Sequence, residues 1–155
     1  MTAGNGDLLN EFGDKVEEFM KFQGWADTAR SLTDRFSPEV IEKVAGEHSD
    51  TAMDIAGDLL PLTTEMEDAI AEFLATKKEI LDSQGESRMT MEELELRLAI
   101  EELTQEEFDK ESKDVNDILA DGNAKIAVIE EDLEEFQRVL ERWLDAGIAA
   151  GILSE

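Results

Sequence analysis

From Phe108 to Trp143 the chain places an apolar or small residue at alternating steps of four and three without a slip. The series is Phe108, Ser112, Val115, Leu119, Gly122, Ile126, Ile129, Leu133, Phe136, Leu140 and Trp143. A repeat averaging about 3.5 residues keeps one line facing a partner helix along its whole length, the pattern of a left-handed coiled coil. Upstream, Met66, Ile70, Phe73, Lys77 and Ile80 take the same steps, and the phase carries through Gln84 and Ser87 to Met91, Leu94 and Leu98. Between the two runs, Thr104 followed three residues later by Glu107 makes a capping box, and Leu103 is placed to staple onto Phe108. The pattern predicts an antiparallel coiled-coil helical hairpin with its turn near 103–104. Arm one covers 63–102 and arm two 104–145, each about 60 Å long at roughly 1.5 Å per residue.

The arms carry matched weak points. Gly85 lies 18 residues before Leu103 and Gly122 lies 18 after Thr104, so in such a hairpin the two glycines are expected to face each other. Gln84-Gly85 and Asp121-Gly122-Asn123 then mark either a hinge in long arms, the favoured reading, or loops that fold the arms back into a bundle. A second capping box, Thr90 with Glu93, leaves a true break near residue 85 open.

The N-terminal pattern predicts shorter helices. Leu8, Leu9, Phe12, Val16, Phe19 and Met20 recur at helical spacing and Gly24 closes the segment, after which Trp25, Ala29 and Leu32 form a brief second helix. Ser37-Pro38-Glu39 is a strong start signal, with Ser as N-cap, Pro at the first helical position and an acid in the first turn. The third helix carries Val40, Ile41, Val44, Ala45, Ala52, Ile55, Ala56, Leu59 and Leu60, and Pro61 is expected to end or kink it. The resulting organisation is an N-terminal helical region over 1–61, a hairpin over 62–145 and an apolar docking tail over 146–155.

Both arms are apolar on more than one face. Leu96, Ala99, Ile100 and Leu103 form a stripe beside Met91, Leu94 and Leu98, and Ile118, Val128 and Val139 widen the other arm. The alternation around Leu96 and Leu98 also suits a strand, but the flanking caps and the lack of a second strand candidate decide for helix. Such flanks need either the N-terminal helices or a second chain to cover them, and symmetric pairing into a homodimer is the expectation.

Composition changes this picture in one respect. The net charge is −26, with 20 acidic and 8 basic side chains in residues 1–89 and 20 and 6 in residues 90–155. Acidity spread over the whole chain argues against a single acidic strip, and the lack of a basic patch argues against direct nucleic-acid binding. Three readings remain: a surface adapted to high salt, where screening limits self-repulsion, a partner for a basic protein, or a mimic of nucleic acid. The chain has no cysteine, no run near the roughly 20 apolar residues of a membrane span, and no basic-then-apolar signal segment at its start, so the expectation is a cytoplasmic protein.

Candidate chemistry is thin. His48, in Glu47-His48-Ser49-Asp50, is the one histidine, and Ala45 stands where a Glu-x-x-His di-iron helix needs its glutamate. There is no Gly-rich phosphate loop, nucleophile elbow or HExxH motif. The expectation is a non-catalytic protein with no metal and no cofactor. Its better candidate sites are the hairpin tip, Glu101, Glu102, Leu103, Glu106, Glu107 and Phe108, and the flanking face of Leu96, Ile100, Ile118, Val128 and Val139. The acids at the tip also complement the dipole of the helix that starts there.

Two resemblances bear on the tip. A long antiparallel coiled coil with an acidic tip resembles, in outline, the Gre-type transcription factors, which reach a metal ion through a narrow channel. This chain lacks their globular domain after the hairpin and any distinguishing spacing of paired acids. The run Leu94 to Lys110, with its Leu-Thr-x-x-Glu-Phe turn at Leu103-Thr104-Gln105-Glu106-Glu107-Phe108, resembles the short C-terminal domain (SHOCT). Family members usually carry Gly two residues before the Leu-Thr step, where this chain has Glu101 or Glu102, and end their chains with an element that is internal here. That resemblance implies an oligomerisation or interaction module. Together these readings point to an all-α scaffold or adaptor that binds a protein partner. The alternative is an acidic regulator that occupies a basic nucleic-acid-binding or polymerase surface.

Overall fold

The computed structural model describes residues 3–154, with side chains from Asn5 to Ser154. It is all-helical: α1 is Ala3–Arg30, α2 is Pro38–Ala99 and α3 is Gln105–Ala149, with no strand among the described residues. None of these helices is long and apolar enough to cross a membrane. Contacts divide the chain into two units, Met1–Ile70 with Glu134–Glu155, and Ala71–Leu133.

Three helix boundaries differ from the sequence expectation. The short N-terminal helices are one 28-residue helix, because Gly24 does not close α1. An interior glycine costs a helix about 1 kcal/mol. Here the buried stripe Leu9, Phe12, Val16 and Phe19 continues in phase to Ala26, which is fully buried, so packing on both sides outweighs that cost. Pro61 likewise lies inside α2 rather than at its end. Pro61 and Gly57, the residue whose carbonyl loses its donor, are both exposed, so water can take the freed bond. Thr63 Oγ1 donates to the Leu59 carbonyl at 2.8 Å one turn on. Finally, α2 and α3 run unbroken through Gly85 and Gly122, so neither midpoint is a loop.

Two predicted helix starts are observed. Pro38 opens α2 and the Ile41 amide donates to the Ser37 carbonyl at 3.0 Å, as an N-cap requires. At α3 the Glu107 amide donates to Thr104 Oγ1 at 3.1 Å while Glu107 Oε1 accepts from the Thr104 amide at 3.4 Å, a reciprocal capping box. The Thr90–Glu93 box does not form. Thr90 lies mid-helix with its hydroxyl on the Glu86 carbonyl at 3.1 Å.

The first unit is a bundle of α1, the first half of α2 and the end of α3. Its core is Phe12, Val16 and Phe19 from α1, Ala45, Ala52, Ala56, Leu59 and Met66 from α2, and Phe136 and Trp143 from α3. Phe19 and Trp143 meet edge to face, with centroids 5.1 Å apart. Each large side chain contributes about 1.5–3 kcal/mol by burial. The expected tail closes on its own helix. Gly151 takes a left-handed φ of 76°, the Ile152 amide returns to the Gly147 carbonyl at 2.9 Å, and Leu153 lies over Gly147. A Cβ at Gly147 would fall 2.5 Å from Leu153 Cδ1, so that close return depends on glycine.

The second unit pairs the rest of α2 with the start of α3. Lys77 bonds Glu130 at 3.1 Å and Gln84 bonds Asn123 at 2.8 Å. As the number on α2 rises the number on α3 falls by the same step, so the arms are antiparallel. Seam positions on both arms, from Phe73 to Leu98 and from Phe108 to Leu133, are buried or half-buried throughout.

Candidate interaction surfaces

The tip is built by the end of α2. Its last turn closes with the Glu102 amide on the Arg97 carbonyl at 2.9 Å and the Glu101 amide on Leu98 at 3.1 Å, a Schellman arrangement that puts Glu101 at the left-handed position with φ 64°. Glycine is the usual residue there. The tip acids are largely occupied in local structure. Glu102 pairs with Arg97 at 2.5 Å, Glu107 caps α3, and Asp109 accepts from Gln105 at 2.9 Å. The hydrogen bond that Arg97 donates to Glu93, then the charge of Glu102, raises the Arg97 pKa above its ordinary value. Leu103 and Phe108 are half-buried, while Glu101, Glu102, Glu106 and Glu107 are exposed. Among the described residues no group of acids or histidine is arranged to hold a metal ion.

The flanking residues divide between the units. Val139 belongs to the first, half-buried where α3 faces Gly13 of α1. The other four stand open in the second unit. Leu96 is 61 % and Ile100 64 % exposed, and Ile118 and Val128 are exposed as well. Leu74, Leu81 and Met89 extend the open stripe on α2 and were not among the sequence candidates. The signal for two of them was present: Leu74 and Leu81 each follow a seam residue by one position, which turns them about 100° out of the seam.

Beside the seam runs a shallow groove. Ile80, Ser83, Gln84, Ile118, Gly122 and Lys125 line a hollow of about 210 Å³, and Thr76, Ala124, Val128 and Ile129 continue it past Ile80 and Lys125. At its centre Gly122 is buried, and a Cβ there would fall 2.7 Å from Gln84 Nε2. The partner of Gly122 across the pair is therefore Gln84, not Gly85, where an added Cβ would meet nothing within 4 Å. Gln84 is 2 % exposed. Its amide donates to the Leu119 carbonyl at 3.1 Å and to Asn123 Oδ1, while its Oε1 is buried with no hydrogen-bond partner among the described residues. This buried polar contact ties the two arms at one level, as a buried amide does in a helix pair.

His48 sits in an aromatic group, its ring 5.1 Å from Trp25 and 5.9 Å from Phe22. Lys21 Nζ lies 4.8 Å from the centre of the Phe22 ring and 5.3 Å from that of Trp25. These are packing and cation–π contacts.

No protein-family model matches the chain, and neither curated proteins nor solved structures give a match.

Proposed function

We propose that the protein is a non-catalytic scaffold or adaptor, working in the cytoplasm, that binds another protein through a coiled-coil hairpin and its flanking apolar faces. The observation that carries this reading is the open stripe of Leu74, Leu81, Met89, Leu96 and Ile100 on α2, with Ile118 and Val128 on α3. In a chain of net charge −26, apolar side chains left in water at helical spacing are the unusual surface feature, and such patches mark interaction sites. Seam residues such as Val115, Ile126, Ile129 and Leu133 hold the arms together, Gln84 ties them at one level, and the side chains turned out of the seam remain for a partner helix. Self-pairing into a homodimer belongs to the same reading, since a single helix pair cannot cover both stripes.

The second reading, an acidic regulator seated on a basic nucleic-acid-binding or polymerase surface, rests on the charge. At the tip its support is weaker, because Glu102 and Glu107 are engaged in closing the turn and Asp109 accepts from Gln105 within α3.

The test is position-resolved photocrosslinking in cells that make the protein. A photoreactive residue at Leu96 or Ile118 is expected to give one discrete adduct with a partner, and the same residue at exposed Glu131 none. Equal crosslinking from all three positions, or from Glu131 alone, contradicts the apolar reading.

A further inference from the structure

The turn between α2 and α3 interrupts the helix without interrupting the phase of the seam. Arm one closes its series on Met91, Leu94 and Leu98, and further steps of three, four and three lead through Glu101 and Gln105 to Phe108, where the series of arm two begins. A hairpin does not require this match, because the chain reverses at the turn and the phase of one arm leaves that of the other free. Chance supplies it about once in seven. The pairing across the arms follows the same progression. Gln84 lies against Gly122. Both helices are unbroken, so seven residues on in α2 and seven back in α3 set Met91 opposite Val115, and then Leu98 opposite Phe108. All four are buried or half-buried. The next layer would set Gln105 opposite Glu101, which one chain cannot form because these residues border its own turn.

We propose that the chain also forms an exchanged dimer, in which α2, the turn and α3 straighten into one continuous helix and the α3 of each copy packs on the α2 of the other. The register selects a second copy as the occupant. Two straight copies, antiparallel about Leu103, repeat the layers of the hairpin between chains, including Gln84 against Gly122 and Lys77 with Glu130, and add Glu101 with Gln105 twice. There the Gln105 amide can donate to the Glu101 carboxylate. Exchange of an identical element is a low-cost route to a dimer because it reuses contacts the chain already makes with itself. The turn is also poorly secured against opening. No glycine or proline occurs between Gly85 and Gly122, so nothing in the sequence of the turn stops a helix. Glu101 holds φ 64°, where its side chain is crowded, and a straight helix relieves it. Short connections under strain favour exchange of this kind. The capping box of Thr104 with Glu107 and the Arg97–Glu102 pair hold the turn closed. In the dimer Glu101, Glu102, Glu106 and Glu107 of both copies gather around Leu103, so association is expected to strengthen as salt screens them.

Exchange is separate from the pairing of apolar flanks in the proposed function, because Leu96, Ile100, Ile118 and Val128 lie outside the seam and stay open in hairpin and dimer alike. The chain has no cysteine, so single spin labels can be placed on the full protein. Glu86→Cys and Ala120→Cys put them at exposed positions on the same level of the two arms. The two singly labelled chains are unfolded in urea, mixed, and refolded at high concentration in about 1 M salt, which screens the acids and lets α3 find either copy. Light scattering is expected to give twice 17.3 kDa. Pulsed EPR is expected to give a distance between labels on different copies below roughly 30 Å, since paired helices lie about 10 Å apart. The Glu86→Cys chain refolded alone should give about 50 Å, the span between two residues each 17 places from Leu103 at roughly 1.5 Å per residue. Glu101→Gly suits the hairpin and weakens the straight helix in both chains, so it should lower the association constant at least about a hundredfold. Thr104→Ala removes the cap of the hairpin and should raise it about tenfold. A monomer mass under all these conditions overturns the proposal, as does a dimer whose mixed labels show no short distance. So do equal association constants for the two variants, or a dimer abolished by Leu96→Ser with Ile118→Ser. Loss of partner crosslinking from Leu96 with the exchanged dimer retained would count against the proposed function alone.

Discussion

Glu101 is the one non-glycine residue with positive φ among the described residues, at 64°. A Cβ in that conformation crowds the following carbonyl and costs about 1–2 kcal/mol. The turn tolerates it because the backbone bonds to Arg97 and Leu98 and the Arg97–Glu102 ion pair hold the surrounding geometry. Glu101→Gly removes the crowding and is expected to raise stability by about 1 kcal/mol, less the chain entropy that glycine adds to the unfolded state. Urea unfolding measures it directly, and an unchanged or lower midpoint would show that the position is unstrained. Gly122 tests the opposite case. Gly122→Ala drives a methyl group into Gln84 and should cost about 1–3 kcal/mol by overpacking. The same substitution made together with Gln84→Ala should lose most of that penalty, and the difference between the two backgrounds is the coupling of the pair.

At the scale of the element, α2 continues through a proline because both of its flanks are packed. Leu59 and Met66 are fully buried on either side, and Pro61 points away from them into water. Proline in a helix interior is about 3 kcal/mol less favourable than alanine, so Pro61→Ala should stabilise the protein by roughly 1–3 kcal/mol, read as a rise in the thermal midpoint with unchanged helicity. A loss of stability would mean that the helix needs the bend that proline imposes. Much of the α2–α3 pair was legible in the sequence. The unbroken three-and-four repeat placed every seam residue from Phe108 to Leu133, and the capping box at Thr104 placed the turn within a residue or two. The misplaced helix ends share one cause. Gly24 and Pro61 are local helix-breaking signals, and at each of them packing on both sides kept the helix going, while at Gly85 and Gly122 the unbroken helices exclude the alternative of loops. The face-to-face glycines failed for a different reason: a buried Gln84 needs room, and Gly122 alone supplies it. Of the candidate sites, the exposed Leu96, Ile100, Ile118 and Val128 were readable as residues outside the seam. The hollow lined by Leu32, Phe36, Val40 and Val44 was not, because it forms only where the turn after α1 brings Leu32 and Phe36 against the start of α2.

For the molecule as a whole, the acidic surface and the apolar faces respond to salt in opposite directions. A partner held by the charges is released as counterions compete, whereas a partner held by Leu96, Ile100, Ile118 and Val128 is retained. A chain at −26 resists indiscriminate association, which would favour a partner that fits the apolar stripe. The most direct measurement is therefore the salt dependence of partner binding by the full chain, compared with that of a Leu96→Glu, Ile118→Glu variant. The account predicts that the unaltered protein keeps its partner from about 0.1 M to about 1 M salt, over which screening is nearly complete, and that the variant, although more acidic, loses it at every concentration. Steep loss of the partner from the unaltered protein as salt rises, with the variant binding as well or better at low salt, would contradict it.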